Sequence, residues 1–390
     1  MKDKNILKFQ TFYFLLIGGV GAFTPYINVY LEHERHLTGS QIGLITFLSL
    51  IIGVCVIPLW GIIGDKTRKY NMLLCVSLAA TIVTLFIYKQ QTVYLGVILC
   101  ALILEIVRLG STPMADTITM SYTTSHQGNY GAIRGMGSMG YMLASMFVGF
   151  LADRYGYNGP MFTTYMVLLG LALLLGFSFP KHYDKKLQEA KVEKGNFREL
   201  ITDKNFLFIL IITMLTTNVV DSSGQYAGNH LVTTLHASNA LISWQTFIQV
   251  LPEILFLAVA VKFLKKMGYK RFYLMATILM AVRLGIYAFV PNAYIFVAAG
   301  IVHCLGVACQ TVGNLSYLKA SINNAVYGTA ITLMSAAMSI AKAIYGYVFG
   351  SIYQYFGSYT IFTVSLILVL IAIVILFRTQ RFAHLDAIEE

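Results

Sequence analysis

Lys181–Lys204 reads KHYDKKLQEAKVEKGNFRELITDK and is the longest polar stretch of the chain. Six long apolar runs precede it, at 8–31, 40–63, 71–89, 92–122, 130–152 and 159–180. Six follow it, at 205–232, 241–265, 271–290, 292–318, 326–350 and 358–377. About 20 apolar residues suffice for a helix to cross the hydrocarbon core. The expected fold class is therefore an all-α membrane protein of about twelve transmembrane helices, arranged as two six-helix bundles. The expected domains are an N-terminal bundle over 1–180, a cytoplasmic linker over 181–204, a C-terminal bundle over 205–377 and a cytoplasmic tail over 378–390.

Composition agrees. Of 390 residues, 57% are hydrophobic and 12% charged, more apolar surface than a soluble chain of this length could hide. The net charge of +11 does not point to nucleic acid, because the basic residues cluster in short loops between apolar runs. With the N-terminus in the cytoplasm, 21 of the 28 Lys and Arg residues fall on the inner side and three (Arg35, Lys89 and Arg154) on the outer. Both termini are thus expected on the cytoplasmic side of the cell's inner membrane. The N-terminal run continues past Tyr26 without a small-residue cleavage site and reads as an uncleaved first helix. The five cysteines lie in apolar runs and form no ligand pattern, so no metal site is expected.

Charges inside the apolar runs carry the functional signal. Glu105, Asp116, Asp221 and Glu253 balance Arg108, Arg134, Arg283 and Lys342. Each is costly in hydrocarbon, so such residues face a partner or a water-filled path. Asp116 follows Pro113 on the fourth segment, and Arg134 begins the fifth across the turn Thr123–Asn129. Two antiparallel helices joined there bring carboxylate and guanidinium to similar depth, where they can hold a solute by charge-assisted hydrogen bonds or lock the two helices together. Arg134, Ser138, Tyr141 and Ser145 share one helix face, a polar stripe beneath an aromatic ring that suits a hydroxylated solute. In the second half Glu253 follows Pro252, and Arg283 and His303 lie on the ninth and tenth segments. Histidine titrates near neutral pH, so this trio reads as a proton-coupling set. Asp221 and Lys342, alone in their segments and of opposite sign, are expected to form a structural ion pair. Glu105 and Arg108, three residues apart, can pair on one face and extend a relay towards Asp116.

Gly135–Gly140, GMGSMG, matches a dinucleotide-binding glycine pattern, but no strand precedes it. Close approach of two membrane helices is the better reading, and Gly18, Gly19 and Gly21 look alike in this respect. HExxH, GxSxG and P-loop patterns are absent, so an enzyme is not expected.

GIIGDKTRK at 61–69 resembles the loop signature of the major facilitator superfamily, and GFLADRYG at 149–156 echoes it. Within that superfamily the chain is similar to the lactose-permease-like and phenylpropionate-transporter-like group. The similarity is carried by Pro113–Asp116, Tyr130–Arg134, Gly137–Tyr141, Pro252–Leu255, Val282–Leu284 and Val302–Cys304. The resemblance implies two bundles around a central cavity that alternate between inward-open and outward-open states. It assigns substrate binding to Asp116 and Arg134 and a stacking aromatic to Tyr141, where lactose permease itself has tryptophan, and Ser138 of the polar stripe is expected to join them. It assigns proton coupling to Glu253, Arg283 and His303, and a gating loop to Asp65 and Arg68. The family's proton-accepting glutamate one turn after the histidine is Gly306 here, which leaves Glu253 or Asp116 for that task.

The expected function is proton-coupled symport, taking up a small polar solute such as a sugar or oligosaccharide. The alternatives are uptake of an aromatic carboxylate or nucleoside, or efflux of a solute or drug. No cofactor is expected beyond the proton as coupling ion. The expected partners are the small-molecule substrate and membrane lipids, with no nucleic acid and a monomeric state.

Overall fold

The computed structural model describes residues 4–126, 128–180, 200, 202–322 and 327–382. Most of the 181–204 linker and the tail beyond 382 lie outside the described residues. Among the described residues there is no strand, and eleven helical stretches are long and apolar enough to cross a membrane. They are α1 (Lys4–His33), α2 (Gly39–Thr67), α3 (Tyr70–Gln90), α4 (Tyr94–Ser125), α5 (Tyr130–Tyr155), α6 (Asn158–Gly176), α7 (Lys204–Gly224), α9 (Tyr269–Phe289), α10 (Ala293–Ser321), α11 (Thr329–Phe356) and α12 (Ser358–Arg378). Between α7 and α9 lies α8 (Ala240–Met267), which runs on through Pro252. Outward stripes of large apolar residues, such as Ile367, Leu370, Ile371, Val374 and Phe377 on α12, are the surfaces that meet lipid.

The chain forms two compact units, Met1–Lys191 with Ser238–Ser243, and Val192–Ala237 with Trp244–Glu390. The entry of α8 thus belongs to unit 1, where Asp153 accepts from the backbone N–H of Asn239 at 2.7 Å and Ala240 at 3.2 Å. The segment expected to be a tail is partly packed. Phe382 is fully buried and stacks on Tyr273 at 5.2 Å, while Arg381 donates to the Lys204 carbonyl at 3.0 Å.

The two units repeat each other's backbone. Left-handed φ values occur among the described residues at His36 (55°) and His236 (51°), Arg68 (53°) and Gly268 (74°), and Gly156 (70°) and Gly357 (79°). The members of each pair are about 200 positions apart. His36 and His236 end their helices alike: Leu37 N–H reaches back to Leu31 O at 3.0 Å and Ala237 N–H to Leu231 O at 2.9 Å. Tyr26 and Tyr226, both fully buried, bond to carbonyls at matching places, Ser145 O at 2.6 Å and Gly346 O at 3.0 Å.

Breaks in the helices follow local chemistry. The long fourth segment does not bend at Pro113 but breaks between Arg108 and Ser111. The proline ring clashes with the carbonyl four residues back, which is Leu109, so the break falls there and Pro113 sits in a new first turn. Side chains meet the carbonyls released: Trp60 Nε1 donates to Ile106 O at 2.8 Å, Ser77 Oγ to Val107 O at 2.5 Å, and Ser111 Oγ to Arg108 O at 2.7 Å. A second irregularity is the π-helical stretch Met214–Asn218 within α7, where Asn218 Nδ2 donates to Met338 O at 2.9 Å.

Glycine lets the backbones of α1 and α5 approach closely. A Cβ on Gly140 would lie 2.0 Å from Phe14 O, and one on Gly21 would lie 2.2 Å from Tyr141 O. The GMGSMG run is thus a helix-contact surface at Gly137 and Gly140, with open space at Gly135.

Candidate functional site

In unit 1, the helix break in α4 starts the turn sequence that aims Asp116, and Asn129 caps the start of α5 by accepting from Ala132 N–H at 3.0 Å. The resulting hairpin brings Arg134 NH1 to 2.7 Å from Asp116 Oδ1. The same oxygen accepts from Tyr13 OH at 2.6 Å, and the guanidinium lies 6.0 Å from the centre of the Tyr13 ring. Tyr130 stands one turn before Arg134 on the same face of α5. The pair is not sealed: the Arg134 side chain is 44% exposed and that of Asp116 26%. An accessible carboxylate with one oxygen engaged keeps acceptor capacity on the other, and the guanidinium keeps unused N–H groups.

The rest of the α5 stripe divides. Ser138 and Tyr141 are half-buried. Ser145 is fully buried and tied off: its carbonyl accepts from Tyr26 OH at 2.6 Å and from Ser243 Oγ at 3.2 Å. Tyr13 was missed in the sequence as a member of this cluster, since one tyrosine among 25 in an apolar chain carries no signal. Glu105 and Arg108 pair at 2.6 Å on their own helix face.

In unit 2, Arg283 and His303 meet. Arg283 NH1 donates to His303 Nδ1 at 2.7 Å, and the guanidinium lies over the Tyr287 ring at 4.6 Å. An imidazole that accepts at Nδ1 is neutral, with its proton on Nε2. Arg283 is 2% exposed and its Nε has no partner among the described groups. No carboxylate stands within ion-pair distance of it among the described residues. Glu253 is half-buried on α8 and makes no hydrogen bond or ion pair with Arg283 or His303 among the described residues. Asp221 Oδ2 and Lys342 Nζ are 3.4 Å apart.

Gly306 explains the departure from the family pattern. A Cβ there would lie 3.0 Å from Met280 Cγ and 3.1 Å from Ala276 O, so α9 and α10 touch where a glutamate would have to fit. At the loop after α2, Asp65 accepts from Tyr70 OH at 2.8 Å, and Arg68 closes the helix by donating its N–H to Gly64 O at 2.8 Å.

The family model described as MFS_1 like family matches residues 6–384. The chain belongs to that family. Among relatives of this MFS_1-like chain, the uncharacterized transporter YwbF of Bacillus subtilis (strain 168) is 30% identical, the match covering 83% of this chain and 80% of that one. The maltose permease of Geobacillus stearothermophilus is 26% identical, with 93% of each chain covered. Among solved structures, the nucleoside transporter NupG superposes with a TM-score of 0.85 at 17% identity, over 97% of this chain and 100% of that one, a likeness of fold. The MFS_1-like chain is a multi-pass membrane protein and a secondary transporter of the major facilitator superfamily.

Proposed function

We propose that the protein is a proton-coupled symporter that takes up a small polar solute, a sugar or oligosaccharide, by alternating access. One observation supports this most: an accessible Asp116–Arg134 pair, held by Tyr13, in a chain related along 93% of its length to a maltose permease. A sugar offers vicinal hydroxyls that both donate and accept. Asp116 accepts from them through the oxygen that Tyr13 and Arg134 leave open, and Arg134 donates. Ser138 adds a hydroxyl, and the Tyr141 ring stacks on the apolar C–H face of the sugar.

Glu253 takes the proton in this reading. His303 cannot accept one at Nδ1 without losing the Arg283 bond, and Gly306 has no side chain to offer. Arg283 and His303 then act by holding a positive charge nearby, which favours release of the proton. Asp221–Lys342 ties α7 to α11, and Asp65 and Arg68 shape the cytoplasmic loop that gates the cycle. Both termini face the cytoplasm of the cell membrane, the chain works as a monomer, and it needs no cofactor besides the proton.

The test is uptake by cells or vesicles after a thermal-shift screen of the purified protein against maltose, sucrose, nucleosides and phenylpropionate. A stabilising sugar whose uptake acidifies the vesicle lumen supports the proposal. Stabilisation by nucleosides or phenylpropionate alone overturns its substrate class.

A further inference from the structure

Unit 1 holds a cavity of about 300 Å³ inside the bundle, at the α4 break. Half of its twelve lining residues are Leu, Ile or Val, with Leu16, Leu78 and Leu169 among them, and Arg108, Thr112 and Thr81 also line it. A cavity of about 150 Å³ with such walls is enough to hold benzene. A sugar ring fits poorly, because most of its hydroxyls would lose their hydrogen bonds against an apolar wall.

The position of the cavity relates it to the solute cluster. Leu16 stands three residues beyond Tyr13 on the same face of α1, about 4.5 Å along the axis. Thr112 stands four residues before Asp116 on the same face of α4, about 6 Å along the axis. Both helices therefore lead from the Tyr13–Asp116–Arg134 cluster to the cavity within little more than one turn. Arg108 lines the cavity, and Glu105 Oε1 holds one of its N–H groups at 2.6 Å, which leaves further donors on the guanidinium.

We propose that this cavity is an apolar subsite of the transporter, taking an aromatic or short alkyl group attached to the hydroxylated solute, with Arg108 donating to a polar acceptor at the far end of that group. The inference rests on the reading of Asp116 and Arg134 as the solute-binding pair and narrows the substrate class to glycosides bearing an apolar substituent.

The experiment compares methyl and phenyl α-D-glucopyranoside binding to the full chain in lipid nanodiscs by calorimetry. Phenyl glucoside is expected to bind at least about 10-fold more tightly than methyl glucoside, in line with the burial of one ring. Leu169→Phe puts an aromatic ring into the space a substituent ring would take and is expected to lower that ratio while leaving methyl glucoside binding unchanged. Leu78→Phe, on a different helix, serves where Leu169→Phe does not fold. Equal affinities in the unmodified protein overturn the subsite and leave the cluster reading standing. Should neither glucoside bind, the cluster reading fails for glucosides and phenol alone decides the subsite: a rise in Tm lost in Leu169→Phe supports it, and no rise overturns it.

Discussion

The two units share a backbone plan and differ in chemistry. Their left-handed positions pair off at intervals of about 200 residues, and a buried tyrosine bonds to a carbonyl at the same place in each. The charged groups inside the spans do not repeat. Unit 1 carries a solvent-accessible carboxylate–guanidinium pair at Asp116 and Arg134. Unit 2 carries a buried guanidinium, Arg283, whose partner is a neutral imidazole. Positions 316 and 335, about 200 beyond Asp116 and Arg134, are both serine. A duplicated scaffold, as in the parallel repeats of many transporters, thus leaves each half free to take a separate task. In this molecule one half carries a partly exposed ion pair, and the other keeps a cation out of water.

The comparison is broken most directly at Arg134. Arg134→Ala is expected to lower uptake at least about 100-fold, with Tm and membrane insertion close to those of the unmodified protein, because a charge-assisted pair open to solvent contributes little to stability. Arg134→Lys is expected to recover only part of the uptake, since an ammonium cannot bind in a bidentate manner. Near-normal accumulation by Arg134→Ala would remove the assignment of the two tasks.

Arg283 should behave in the opposite way. Arg283→Ala empties a site closed to water, so the expected loss is in folded yield on size-exclusion chromatography as well as in uptake. Glu253→Gln is the complementary test of coupling. Accumulation against a gradient should fall at least about 10-fold while exchange across the membrane continues. Active accumulation by Glu253→Gln would move the proton to another carboxylate, with Asp116 the next candidate.

These sites differ in how legible they are from the chain. A charge in a hydrocarbon segment shows itself by composition alone, and its partner can be guessed from sign and depth. Asp116–Arg134 and Asp221–Lys342 both stand as such pairs. The same grounds group Glu253 with Arg283 and His303, yet only the latter two meet, since segment depth does not fix which faces of α8, α9 and α10 turn together. Tyr13 had no compositional signal and is visible only once α1 and α5 are packed. The closeness of those helices was legible in Gly137 and Gly140, because few other roles explain glycine at helical spacing in a span. The place of the α4 break was not, since a proline marks the clash four residues behind it.

Glycine contacts supply the next test. Gly140→Val puts side-chain carbon where Phe14 O already lies at 2.0 Å from the first added atom. Folded protein should be lost, as fluorescence-detected chromatography would show. Gly135→Val, at a position with nothing within 4 Å, should leave yield unchanged. Equal loss in both would mean that helix propensity, rather than the approach of α1 to α5, governs the run.

The smallest expected effect tests the repeat itself. His36 and His236 both adopt left-handed φ, 55° and 51°, in exposed loops that end matching helices. An L side chain is disfavoured there and glycine is not, so His36→Gly and His236→Gly should each stabilise their unit by ~1 kcal/mol. The gains should be alike, because the same i-to-i−6 hydrogen bond closes both turns. Differential scanning fluorimetry of the two variants would read this as two similar upward shifts in Tm. A rise in one and a fall in the other would mean that one histidine holds its loop by side-chain contacts the other lacks. The repeat would then be one of backbone trace only, with its energetics divided between the halves as its charges are.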